Sequence, residues 1–348
     1  MERVQLKVDG VFEGGGVRGI GLVGAISVIE EAGYEFVNLA GTSAGAIVAT
    51  LLAAGYTAAE LKQAINSLDF ASFQDSPLIG RIPGVGALFN LIFHNGLYEG
   101  DVFLNLMRKM LAEKQVYTFR DLLLPEFADD DRYRFKVRLI ASDISRGRML
   151  ILPQDIKDYG MAPEDLEVAL AIRMSMSFPF FFMPVELKKS YIVDGGILSN
   201  FPVELFDVQG VPEWPTFGFK LVVSDQASPE QFVRHPISGP LSQLVAMFFT
   251  AMEAHDAYYL SNDKFVRTIP IDTLTIQSTD FLLTDQQKED LYQSGRKAAQ
   301  EFLASWDFEA YKAMYRSGQP APTRRELMLP TTRRPNSFFR RKKTRYER

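Results

Sequence analysis

The chain has 348 residues, of which 47% are hydrophobic and 23% charged, and a formal net charge of −5. This ordinary globular composition excludes global disorder, and the length admits two domains or one large α/β domain. With no cysteine and only three histidines (His94, His235 and His255), disulfides, thiolate metal sites and cysteine nucleophiles are excluded, and neither a metal nor a cofactor is expected.

The net charge conceals a division. Residues 323–348 carry ten Lys/Arg against two Glu, or +8, whereas the remainder carries 28 basic against 41 acidic residues, or −13. The N-terminal Met-Glu-Arg-Val-Gln-Leu-Lys has no apolar core and no small-residue cleavage site, so no secretory signal peptide is expected. The most apolar long stretch, 76–100, is interrupted by Arg81, His94, two prolines and several glycines. It falls short of the ~18 uninterrupted apolar residues of a spanning helix. The expectation is a soluble, cytoplasmic chain that at most touches a membrane surface.

In chain order, residues 4–13 read as a strand entering the glycine turn Gly14-Gly15-Gly16, and 17–32 as a helix ending before Gly33. Residues 35–41 form a second strand, 44–54 a second helix, and 57–67 a third. Strand, glycine turn, helix, strand, turn, helix is the opening of a wound α/β sheet, mainly parallel and flanked by helices. An amphipathic helix is expected at 99–114, a hairpin over 133–142 and 147–152, and a helix at 163–174. A strand ending at Asp194-Gly195-Gly196 follows, then a strand at 216–223, a helix at 239–260, a strand near 264–269 and a helix at 284–304. With no linker evident, 1–315 reads as one domain and 316–348 as a basic, flexible tail.

Gly14, Gly16 and Gly19 fit G-x-G-x-x-G between a strand and a helix, a pattern that brings backbone amides to an anion. A dinucleotide site also needs an acidic residue ~20 positions later, at the end of the second strand. That strand ends instead in Leu39-Ala40-Gly41, and Glu35 stands at its wrong end. The second turn, Gly41-Thr42-Ser43-Ala44-Gly45, is G-x-S-x-G where a strand meets a helix. A serine held in such a strained turn needs small neighbours, which Gly41 and Gly45 are. A simple helix-capping serine is the alternative. Parallel strands bring both turns to one edge, where amides of Gly15, Gly16 and Val17 would face a carbonyl attacked by Ser43.

Serine needs a base. None of the histidines follows a strand at the active edge, and His94 and His255 are the candidates if a histidine serves. Asp194 is the better candidate: the apolar run Tyr191-Ile192-Val193 delivers it to Gly195-Gly196, and partial desolvation there strengthens it as a base. Asp143, in a hairpin turn near Arg146 and Arg148, ranks second; an Asp-Gly turn without chemistry is the bland reading of Asp194.

GGGVRG at 14–19, GTSAG at 41–45 and DGG at 194–196, in that order, resemble the patatin-like phospholipase family. The resemblance covers about 8–205 and includes AIRMSMSFPFFFMPV at 171–185. It implies a three-layer α/β/α fold and a Ser–Asp dyad, with Ser43 as nucleophile and Asp194 as base. The oxyanion region would be Gly14, Gly15, Gly16, Val17 and Arg18. The family usually has Asp before the three glycines, where this chain has Glu13.

The expected substrate is a lipid or other acyl ester. Four Phe and three Met within 174–185 suit an acyl-chain pocket, and 76–98 suits a lid, although ordinary core explains both. The tail, with Phe338 and Phe339 beside Arg340–Lys343, suits peripheral contact with an anionic membrane, and no nucleic-acid partner is expected. Carboxylesterase or transacylase activity would use the same residues. A nucleotide-binding regulatory protein built on the Gly14–Gly19 loop is the alternative from another class.

Overall fold

A computed structural model of the chain describes residues 6–67, 96–223, 262–278 and 282–316, with residue 280 and a few single positions between 237 and 250. The three histidines, most of the proposed lid (76–95), most of the expected helix at 239–260 and the tail at 317–348 lie outside the described residues.

β1 (Leu6–Phe12) leads through a short turn of helix at 16–19 into α1 (Ile20–Glu31), and β2 (Tyr34–Thr42) leads into α2 (Ala44–Ala53). Then follow α3 (Ala58–Ser67), β3 (Gly96–Tyr98), α4 (Asp101–Glu113), β4 (Val137–Asp143), β5 (Arg148–Leu152) and α5 (Val168–Ser175). β6 (Phe180–Phe182), β7 (Val185–Leu187), β8 (Ser190–Asp194) and β9 (Thr216–Val222) precede α6 (Asn262–Val266), β10 (Thr268–Asp272), α7 (Asp285–Leu303) and α8 (Phe308–Tyr315). The strand expected near 264–269 is therefore displaced, because Asn262–Val266 is helical and the strand begins at Thr268.

The strands assemble into one eight-stranded sheet in the order β10-β9-β1-β2-β4-β8-β7, with β5 also on β4, while β3 and β6 form a separate pair. The run from β10 to β4 is parallel, as the alternation of strands and helices predicts. β5 and β8 are antiparallel to β4. One sheet face buries Val8, Phe12, Leu39 and Phe219 with α1, α2 and α7. The opposite face buries Val11 and Ala40 against Phe201, Val203 and Phe206. The sheet flanked by helices agrees with the fold class read from the sequence. α1 and α7 cross so closely that a side-chain carbon on Gly24 would lie 1.9 Å from the Tyr292 carbonyl oxygen.

Register along β4 decides which elements meet. β5 pairs with residues 139–143, so β2, which pairs with 137–140, and β8, which pairs with 141–143, share the opposite edge. β2 and β8 run towards each other along that edge. Thr42 is opposite Ile140, and Asp194 is opposite Ala141. The strand ends carrying Ser43 and Asp194 therefore abut, although 151 positions separate the two residues in sequence.

Candidate active site

Ser43 follows the last residue of β2 and precedes α2, with φ 53° and ψ −122°. A non-glycine residue occupies that region only when its surroundings enforce it. Here they do. A side-chain carbon on Gly41 would lie 2.3 Å from the Gly45 carbonyl carbon, and one on Gly45 would lie 2.2 Å from the Phe12 carbonyl oxygen. The turn is closed on β1, and the half-buried Ser43 remains accessible at its top.

The Ser43 amide, turned away from any helix or strand ladder, donates to Ser175 Oγ at 3.0 Å. Ser175, fully buried, donates in turn to the Ile140 carbonyl at 2.6 Å. One hydroxyl thus joins the strained turn to β4 at the position opposite Thr42. Removing it leaves a backbone donor and acceptor unpaired, which costs about 1–3 kcal/mol for each buried group. Ser175→Ala is expected to lower stability by that order and to slow covalent labelling of Ser43 by a fluorophosphonate. Thermal melting and labelling rates check both; unchanged values in the two measurements remove this role.

Asp194 lies at the end of β8 with its side chain fully buried. Its Oδ1 accepts the Gly196 amide at 2.8 Å, whereas Oδ2 is buried without a hydrogen-bond partner among the described residues. Burial pushes its pKa from 3.8 up to about 6, partly offset by the Gly196 amide and by the nearby Ser43 hydroxyl. Ser43 is thus close enough to act on the carboxylate, but the pair lacks the distance and angle of a full hydrogen bond.

Two other buried aspartates clarify what is particular to Asp194. Burial raises Asp143, but hydrogen bonds from Tyr159, Ser190 and the amides of Arg146 and Ser145 outweigh it and hold its pKa below the ordinary value. With Oδ1 bonded within the hairpin and Oδ2 by Tyr159, Asp143 is placed as a structural anchor. Asp9, near the opposite end of the sheet, is raised to about 7 by burial, with Trp214, the Asn38 amide, Arg267 and Arg138 pulling it back. Asp194 alone among these three combines a raised pKa, an unpartnered oxygen and an adjacent hydroxyl.

The Gly14–Gly19 turn wraps the same strand end. A side-chain carbon on Gly14 would lie 3.1 Å from Ser43 Cβ, and one on Gly19 would lie 3.2 Å from Ala44 Cβ. The turn's amides have different fates. Gly14 donates to the Asn200 carbonyl at 3.2 Å, Val17 to the Ser278 carbonyl at 3.2 Å and Arg18 to the Gly15 carbonyl at 3.2 Å. Gly15 and Gly16 find no acceptor among the described residues, and neither does Ala44 in the first turn of α2. The expected donor set narrows accordingly, because the Val17 amide is already engaged. Arg18 Nε donates to the Gly15 carbonyl at 3.2 Å and so orients the turn. Glu13 pairs with Lys220 and accepts the Leu221 amide, which anchors the start of the turn to β9.

Three neighbours escaped the sequence reading. Ser175 is a small polar residue in an apolar run, and that contrast was its only signal. Asn200, six positions after Asp194, donates from Nδ2 to the Gly14 carbonyl at 3.1 Å, which answers the Gly14 amide on its own carbonyl. Arg173, buried in α5, donates to Ser177 Oγ and to the carbonyls of Glu99 and Met183. The Ser177 carbonyl accepts the Asp194 amide at 2.9 Å. Among the described residues, no group of three or more His, Asp and Glu side chains is placed to hold a metal ion.

A serine beside a buried carboxylate whose Oδ2 has no partner among the described residues, next to backbone amides that have no acceptor there, is an arrangement suited to acyl transfer. A family model for patatin-like phospholipases matches residues 10–207. YqhO of Bacillus subtilis (strain 168), itself described as uncharacterized, is 36% identical over 307 residues, covering 86% of this chain and 99% of that protein. A protein of Invertebrate iridescent virus 6 named probable lipid hydrolase 463L is 24% identical over 199 residues, 56% of this chain and 61% of its own length. Among solved structures, VipD from Legionella pneumophila is similar in fold, with a TM-score of 0.52 and 19% identity over 86% of this chain and 67% of that one. With its motifs, its fold and these matches in agreement, the chain belongs to the patatin-like phospholipase family.

Proposed function

We propose that the chain is a serine lipid acyl hydrolase of the phospholipase A or lysophospholipase type, with Ser43 as nucleophile and Asp194 as base. The observation that carries this reading is Asp194 Oδ2, buried without a partner among the described residues beside the strained Ser43 turn. Asp194 takes the Ser43 hydroxyl proton as Ser43 Oγ attacks the ester carbonyl, and the amides of Gly15, Gly16 and Ala44 receive the oxyanion. The carbon–oxygen bond to the alcohol then breaks, and Asp194 returns the proton to the departing oxygen. Water gives a proton to Asp194 as its oxygen attacks the acyl carbon, the bond from that carbon to Ser43 Oγ breaks, and Asp194 passes the proton to Oγ, releasing a carboxylic acid and restoring Ser43.

The half-buried Phe178, Phe180 and Phe181 support an acyl-chain substrate, because they lie in the segment whose Ser177 carbonyl holds the Asp194 amide. The nucleotide-binding reading has less support. The Val17 amide is occupied by Ser278, and Arg18 Nε by the Gly15 carbonyl. A fluorophosphonate is expected to label Ser43, as read by peptide mass spectrometry; an unlabelled Ser43 in folded protein removes the hydrolase reading. A panel of phospholipids, lysophospholipids and short esters, with and without an acceptor alcohol, then separates lipase, carboxylesterase and transacylase.

A further inference from the structure

We propose that the tips of two adjacent hairpins, β4–β5 and β7–β8, form a contact surface for an anionic lipid layer; this rests on the lipid acyl hydrolase reading above. β2 stops opposite Ile140, but β4 continues past it with β5 on one edge and β8 on the other. Ile144 therefore lies about 10 Å, three residues of strand, beyond the level of Asp194, on the sheet edge to which Ser43 belongs. The two tips are joined. The Ile144 amide donates to the Tyr191 carbonyl at 3.1 Å, and the Tyr191 amide to Ser145 Oγ at 2.9 Å.

Strand alternation gives the joined tips an apolar face. Met149 is paired with Ser142, and Ile144 lies two residues on from Ser142, opposite Tyr191, so the three side chains share one side of the sheet. Ile144 is 53% exposed, Tyr191 41% and Met149 37%. At the rim, Lys188 and Lys189 occupy the two-residue turn between β7 and β8, both exposed, with φ 44° and 71°. Such turns favour Asn-Gly, so two lysines there are held against local preference. Neither lysine has an acidic partner among the described residues. Arg146, also exposed at the tip, lies 3.6 Å from Asp143 and over the Tyr159 ring. Glu186, opposite Tyr191, is an exposed acid on the apolar side.

A cationic rim around exposed Ile, Met and Tyr is opposite in sign to the chain that carries it, whose residues before 323 sum to −13. That combination matches an anionic lipid surface: ammonium groups meet headgroups while tyrosine and aliphatic side chains enter the interface. Its place above the Ser43 edge also puts the lipid layer where acyl esters would enter the site.

The absence of cysteine makes the test local, since Ile144→Cys in the full chain takes an environment-sensitive fluorophore at one position. Mixed phosphatidylcholine/phosphatidylglycerol vesicles are expected to shift its emission to the blue, while pure phosphatidylcholine vesicles leave it unchanged. The same probe at Met314→Cys, exposed on α8 at the far end of the sheet, should not respond. Lys188→Ala with Lys189→Ala is expected to raise the lipid concentration at half-shift by about 30-fold. An unmoved probe on mixed vesicles, an equal shift on pure phosphatidylcholine or an unchanged midpoint in the double variant overturns the proposal. A shift that grows with protein concentration without lipid does so too, and assigns the face to a second copy. Failure of the hydrolase reading itself is seen separately, as loss of fluorophosphonate labelling at Ser43.

Discussion

Ser43→Ala is expected to hydrolyse a p-nitrophenyl acyl ester about 10⁴–10⁶-fold more slowly than the parent chain, in kcat. Nothing else at the turn replaces the lost hydroxyl: Ser175 Oγ is occupied by the Ser43 amide and the Ile140 carbonyl. Folding should survive, because the closure of the turn rests on Gly41 and Gly45 against backbone rather than on the serine side chain. A glycine at the same position separates chemistry from strain. At φ 53° any L side chain is disfavoured, so Ser43→Gly is expected to be equally inactive but about 1 kcal/mol more stable than Ser43→Ala. Initial rates and thermal melts of the two variants decide. Full activity in either removes Ser43 from the reaction.

The second large effect belongs to Asp194. Asp194→Asn should also abolish hydrolysis, since an amide cannot take the serine proton, yet it should make the fold more stable at neutral pH. The sign follows from linkage. In the unfolded chain the carboxyl ionises at its ordinary 3.8, whereas burial holds the proton in the folded chain up to about 6. Stability therefore falls as pH rises through that window, and the deficit is complete above it. Roughly two pH units correspond to about 3 kcal/mol, an upper bound because the asparagine Nδ2 also needs an acceptor. The expected result is a variant up to about 3 kcal/mol more stable at pH 8, with the difference gone below pH 4. In the parent enzyme kcat/KM should rise with pH through about 6, as Asp194 loses its proton, and then level off. A variant less stable than its parent at pH 8 contradicts the cost assigned to the buried charge.

How much of this was legible in the sequence depends on the range of each interaction. Both strand–glycine turn–helix units were readable, because apolar periodicity and glycine chemistry act within ten or twenty residues. The long helix expected at 284–304 is present as α7, Asp285–Leu303, opened by a capping box of Thr284 and Gln287. The same local rules misplaced the strand near 264–269, where a short helix precedes β10 and apolar residues at that spacing suit either element. The narrowing of the turn's donors was not readable either, since the acceptor that occupies the Val17 amide comes from Ser278, far along the chain.

By itself the sequence determined that two glycine turns end on one sheet edge, that a serine stands in the second, and that Asp194 closes a later apolar strand. Those are consequences of local periodicity and of the shared direction of parallel strands. Only the tertiary structure placed the end of β8, which carries Asp194, against the Ser43 turn. β8 runs antiparallel into the end of β2 along one edge of β4, while the carboxylate of Asp143 accepts from Tyr159, Ser190 and the amides of Arg146 and Ser145. It also decided that Ser175 and Asn200 hold the two turns, through hydrogen bonds spanning 132 and 186 positions. Strand register and buried polar pairing are set by the packing of the whole sheet, and no stretch of neighbouring residues encodes them.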